Sequence, residues 1–143
     1  GADPDEGALA AAEFRRAAAD LRRAARAEAD TGERRVARRV LGQVFAQFYE
    51  RAADLRARGE KASAVVAGLE LAAELSPDNP QLLFELACAH AVNRDRKKAL
   101  ELLRRAVEKG FADADQLARH DALTSLRAEP AYQELLARIK TTR

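Results

Sequence analysis

Helical periodicity in this chain is interrupted at regular intervals, and those interruptions leave it little choice but to fold as a series of short antiparallel helices. Gly59, the cluster Ser76-Pro77-Asp78-Asn79-Pro80, Asn93 and Gly110 are residue types that end helices or make turns. Between them apolar residues recur every three or four positions, the spacing of one helix face. Segments from about Lys61 to Leu75, Gln81 to Val92 and Arg96 to Lys109 therefore read as helices. The turns between them, roughly two to five residues long, return the chain antiparallel. Asn93 suits a left-handed residue at a helix end.

Upstream, Phe14, Ala18, Leu21 and Ala25 form a narrow apolar stripe, which predicts a first helix from about Ala8 to Ala29 after a frayed Gly1–Gly7 terminus. Asp30 with Glu33 has the form of a capping box opening a second helix, Glu33 to Arg58, closed by Gly59. Its apolar face is Val36, Val40, Val44, Phe48, Ala52 and Leu55, widened by Leu41 and Phe45. After Gly110 the pattern predicts a short helix near Asp115–Arg119, a turn through Asp121–Leu126 and a last helix from about Pro130 to Lys140. Hydrophobic residues make up 48% of the sequence, but with many alanines and only five Phe and two Tyr the packing expected is close helix on helix. No segment has the β-branched and aromatic run of a strand. The fold class is all-α, in a single domain over residues 1–143.

Composition also removes function classes. With 25 basic and 23 acidic residues the net charge is +2, a balance that does not favour nucleic acid as partner. The most basic stretch, Arg15 to Arg39, has nine arginines interleaved with four acids at distances suited to pairing within a helix, so a salt-bridged surface is expected there. Arg96, Lys97 and Lys98 open the fifth helix, against the helix dipole. No segment approaches the ~18 apolar residues of a membrane span. A single cysteine, Cys88, excludes an intrachain disulfide and a cysteine-based zinc cluster. A chain that starts at Gly1 and has no methionine reads as a processed or excised piece, either an exported mature protein or a part cut from a larger protein, and its location is left open.

Helical hairpins recurring at ~34 residues are the sequence sign of a solenoid. Residues 80–113 resemble a tetratricopeptide repeat, with Leu83, Leu86, Ala87, Ala99, Leu103 and Ala106 where that family places its large and small packing residues. Residues 45–79 resemble a weaker unit in the same frame, through Phe48, Ala52, Leu55 and Gly59, then Val65, Leu69, Ala72 and Pro77. The unit at 80–113 departs from the pattern at His90, where an aromatic is usual, and at Arg94, where glycine is usual. Gly110, Phe111, Asp113, Asp121, Leu126, Arg127, Pro130 and Tyr132 resemble the closing segment of tetratricopeptide arrays in bacterial multidomain proteins, where such arrays accompany kinases, cyclases and hydrolases. The resemblance implies a helical-hairpin solenoid with extra N-terminal helices (1–44) and a C-terminal capping segment (114–143), working as a protein–protein interaction module.

By the same resemblance, a concave groove would present Ala46, Tyr49, Ala53, Arg56 and Ala57 from one unit and Gln81, Phe84, Cys88, Ala91 and Val92 from the next. Tyr49, Arg56, Gln81, Phe84 and Cys88 are the expected partner contacts. The Lys/Asn/Arg set with which some family members clamp a chaperone's terminal carboxylate is missing, so that ligand is not expected. The first helix, with its Phe14/Leu21 stripe, could instead lie in this groove and complete the core. A second reading is a structural subunit that pairs with its own copy through the N-terminal helices.

Candidate chemistry is sparse. His120-Asp121 is the single adjacent His/carboxylate pair, and Asp121 is explained as a turn or cap residue. Cys88 and His90 project about 200° apart on a helix and cannot share a metal. Neither a nucleophile motif nor a glycine-rich phosphate loop occurs, so no enzyme activity, metal or cofactor is expected.

Overall fold

Seven α-helices and one 3-10 helix follow one another in the described residues: α1 (Pro4–Ala25), α2 (Gly32–Ala57), α3 (Ala62–Leu75), α4 (Pro80–Val92), α5 (Arg96–Glu108), α6 (Ala114–Arg119), the 3-10 helix (Asp121–Leu126) and α7 (Pro130–Thr141). The structure is a computed structural model that describes residues 4–28 and 30–141. It is all-helical, with no strand among those residues. Each helix from α1 to α4 packs on the next, and α1 also reaches α3.

The helix starts follow from side-chain oxygens that accept otherwise orphaned backbone N–H groups. Asn79 caps Leu82 at 3.2 Å, Asp95 caps Lys98 at 3.1 Å and Asp113 caps Gln116 at 2.9 Å. At α2 the expected Asp30/Glu33 capping box does not form. Thr31 is the cap, its hydroxyl accepting from the Arg34 N–H at 3.1 Å, while the Asp30 carboxylate pairs with Arg34 and Arg35 at 3.2 and 3.5 Å. The arginines draw the carboxylate away from the backbone. α1 begins earlier than expected, at Pro4, a residue whose missing N–H suits a first turn, and it ends at Ala25. The frayed segment expected over 1–7 is thus helical from Pro4; Gly1 to Asp3 and Ala29 lie outside the described residues. The expected Asp121–Leu126 turn is a 3-10 helix.

Three helix ends share one geometry. After α2, α4 and α5 the chain turns through a positive φ at Gly59 (70°), Arg94 (65°) and Gly110 (111°). In each, the next two N–H groups reach back to the last turn, as Asp95 does to the His90 carbonyl at 2.9 Å and Arg94 to Ala91 at 3.1 Å. Asn93 therefore keeps an ordinary φ of −77°, and the left-handed position falls one residue later, on Arg94. A side chain with a Cβ is strained there. Replacing Arg94 with glycine relieves that strain and is offset by extra freedom in the unfolded chain. The expected net gain is about 0.5–1 kcal/mol, measured as a raised urea midpoint at unchanged slope.

Packing between the helices depends on small residues facing large ones. Ala52, Ala72, Ala87, Ala99 and Ala106 are completely buried, so the backbones of paired helices approach closely. At the α2–α3 contact a Cβ on Gly68 would lie 3.3 Å from the Ala52 Cβ, tighter than normal packing. Leu69, Leu82, Leu83, Leu102 and Leu103 fill the space between, each contributing roughly 1.5–3 kcal/mol by leaving water.

The chain after α5 folds back on the helices before it: the 3-10 helix lies on α4, and α7 on α5 and α6. Leu117, Leu123 and Leu126 are fully buried in the same core cluster as α4 and α5. Tyr132 enters that cluster from α7, and its hydroxyl donates to the Leu117 carbonyl at 2.7 Å.

Arginines of the N-terminal hairpin pair partly within helices, as expected, with Arg23–Asp20 at 3.2 Å. Others tie α1 to α3 and the turn after it, through Arg15–Glu74 at 3.5 Å, Arg26–Asp78 at 3.8 Å and an Arg22 guanidinium that donates to the Glu74 carbonyl. The exposed pairs contribute little individually. Phe14 gives α1 its apolar anchor, edge-on to Phe48 with centroids 5.3 Å apart.

Candidate functional site

A cleft of about 250 Å³ opens where the end of α2, the start of α3, α4 and the 3-10 helix meet. Its walls are apolar: Ala62 and Val65 from α3, Cys88, Ala89 and Val92 from α4, and Ala122 from the 3-10 helix. Val92 stands out as a large apolar side chain 58% exposed at its edge. Charged and polar groups at its mouth are Arg56, Glu60, Glu85 and His120. No described residue of α1 lines this cleft; α1 packs on α2 and α3, so the first helix does not fill the groove.

Of the five expected contacts, the structure gathers three. Arg56 and Cys88 line the cleft, and Tyr49 joins it through its hydroxyl, which donates to Glu85 Oε1 at 2.7 Å. The Tyr49 ring stacks on Phe45, with centroids 5.8 Å apart and ring planes 21° apart. Burial first, then the bonded Glu85 carboxylate, pushes the Tyr49 hydroxyl up to about 12, so it stays a donor across the physiological range. Gln81 is exposed and does not line the cleft.

Phe84 corrects the sequence reading. It has 0% exposure and lies in the core, stacked on Phe111 with centroids 4.4 Å apart and rings within 6° of parallel. His120 covers its edge at 5.7 Å. The C-terminal segment folds onto the part of α4 that the sequence reading assigned to the groove, and Phe84 becomes an anchor for that segment. Ala91, also expected in the groove, is buried.

Cys88 is in the cleft wall and is buried. Burial raises its pKa to about 12, with the Arg56 charge opposing only in part. At pH 8 the native protein should react with a thiol-specific disulfide reagent at least ~100-fold more slowly than the urea-unfolded chain, because the thiolate is the nucleophile. Native labelling at the unfolded rate would show the thiol to be solvated.

The structure gives His120 a local structural part. His120 Nδ1 accepts the Ala122 N–H at 3.2 Å and so caps the 3-10 helix, the part expected of Asp121. His90 is buried on α4, with Nε2 3.3 Å from Glu70 Oε1.

The cleft residues that sequence reasoning missed are Glu60, Glu85 and His120 at the mouth and Ala62, Val65, Ala89 and Ala122 in the wall. Glu85 carried a signal, because it lies four residues after Gln81 and three before Cys88, two expected contacts on the same face of α4. His120 and Ala122 carried none, since only the fold-back of the C-terminal segment brings them to the cleft. Compared with protein-family models, with curated proteins and with solved structures, the chain matches none. What the site can do therefore rests on its own chemistry: an apolar recess of side-chain size, rimmed by charge, suits capture of an apolar side chain from a partner. No helix among the described residues is long and apolar enough to cross a membrane.

Proposed function

We propose that this chain is a protein–protein interaction module, a tetratricopeptide-like helical solenoid that takes a peptide or partner segment into the cleft between α2 and α4. The observation that carries the reading is an apolar recess left uncovered by α1, with Val92 exposed at its edge. The shared turn geometry after α2, α4 and α5, and the alanine contacts within each hairpin, support the repeat assignment. As an adaptor or as the terminal recognition domain of a larger bacterial protein, such a module needs neither cofactor nor catalytic residues.

The test is a pull-down from source-organism lysate at moderate salt, comparing the parent chain with a Tyr49→Ala, Val92→Asn variant of equal helicity by circular dichroism. A discrete partner held by the parent and lost by the variant supports the reading. Equal retention by both moves binding away from the cleft.

Leu9 on α1 and Val36 on α2 are 62% and 58% exposed, and they favour a second reading, self-association through the N-terminal hairpin. Light scattering separates the two. A dimer that persists on dilution and is lost on Val36→Ser supports self-association; a monomer supports the adaptor.

A further inference from the structure

Charge at the cleft mouth indicates what kind of segment the cleft takes. Glu60 and Glu85 are two carboxylates against one guanidinium, Arg56, and none of the three makes an ion pair among the described residues. Their surroundings differ. Arg56 and Glu60 are exposed and solvated, whereas Glu85 is half-buried beside the apolar wall. A half-buried carboxylate without a cation has lost part of its hydration and gained only one hydrogen bond for it. That bond, from the Tyr49 hydroxyl to Oε1, fixes the carboxylate in one orientation, and a second carboxylate oxygen remains to accept. A cation arriving there meets an oriented acceptor, so little ordering cost remains on the protein's side. An acidic group arriving at the same mouth meets two like charges.

On the reading that the cleft is a binding groove, we infer that its occupant is a basic amphipathic peptide segment, with a Leu-, Ile- or Val-type side chain in the recess beside Val92 and an adjacent Lys or Arg on the Glu85 carboxylate. Glu60 adds a longer-range attraction that salt screens, and the Arg56 guanidinium is free to donate to a carbonyl of the bound segment.

A random-peptide display library selected against the folded chain tests this, followed by affinities of synthetic representatives for the parent, Glu85→Gln, Arg56→Gln and Val92→Asn. Glutamine at 85 keeps an acceptor for the Tyr49 hydroxyl and removes the charge alone. The expected result is enrichment of aliphatic residues next to Lys or Arg, with affinity falling roughly tenfold in Glu85→Gln and falling again in Val92→Asn. Enrichment of aliphatic residues next to Asp or Glu, weakened by Arg56→Gln instead, overturns the charge inference and leaves the groove standing. If no peptide is enriched, or the enriched ones ignore all three substitutions, both the inference and the groove reading fall.

Discussion

Phe84→Ala is expected to remove about 3–5 kcal/mol of folding stability, lowering the urea midpoint by roughly 2 M. The ring is completely buried between Phe111 and His120, so truncation leaves a cavity that the surrounding helices cannot close. It also removes one of the contacts by which the C-terminal segment is held on α4, so the loss should include protection of that segment from proteolysis. Phe84→Leu provides the graded case, which keeps the test open if the alanine variant does not fold. It keeps most of the volume and is expected to cost less than about 1.5 kcal/mol. If Phe84→Ala unfolds at the parent's midpoint, the ring is not in the core and returns to the groove as a candidate contact.

Tyr132 gives the second large effect, and here ring and hydroxyl can be separated. Tyr132→Ala is expected to cost about 3–5 kcal/mol, because the side chain is fully buried and occupies the space between α7, α6 and the α5 face. Tyr132→Phe keeps the ring and removes only the donor to the Leu117 carbonyl, leaving a buried acceptor unpaired at about 1–3 kcal/mol. Burial raises the pKa of this hydroxyl, so it remains protonated and able to donate at neutral pH. Denaturant titration of both variants checks the ordering. Equal losses would assign the whole effect to the hydrogen bond, and no loss in Tyr132→Phe would assign it to the ring.

Both effects concern the C-terminal segment, where sequence and structure part most. The helices themselves were legible because each has a start or stop signal within its own few residues: Asn79, Asp95 and Asp113 cap in place, and Gly59 and Gly110 turn the chain at positive φ. Two local readings missed by one residue. At the start of α2, Thr31, Asp30 and Glu33 offer competing acceptors, and the arginines decide between them. After α4 the length of the last turn, not the residue's preference, puts the left-handed position on Arg94. Neither error moves a helix.

The sequence by itself determined the number, order and approximate ends of the helices, and the small-against-large pattern that sets their contacts. Those depend on interactions within a few residues and on a period that can be counted along the chain. Tertiary structure alone decided which of the apolar and aromatic residues on α4 remain exposed. Phe84, Cys88 and Val92 lie at helical spacing on one side of that helix, and their periodicity cannot say how far along it the returning segment reaches. Phe111 and His120 cover the first of them, Cys88 forms the wall, and Val92 is left at the edge. The same fold-back brings His120 and Ala122 to a cleft otherwise made by residues 56–92, and the Tyr49–Glu85 hydrogen bond joins two helices whose separation in space no local signal encodes. Burial is a property of what arrives from far along the chain, which is why the fold could be read in order and the site could not.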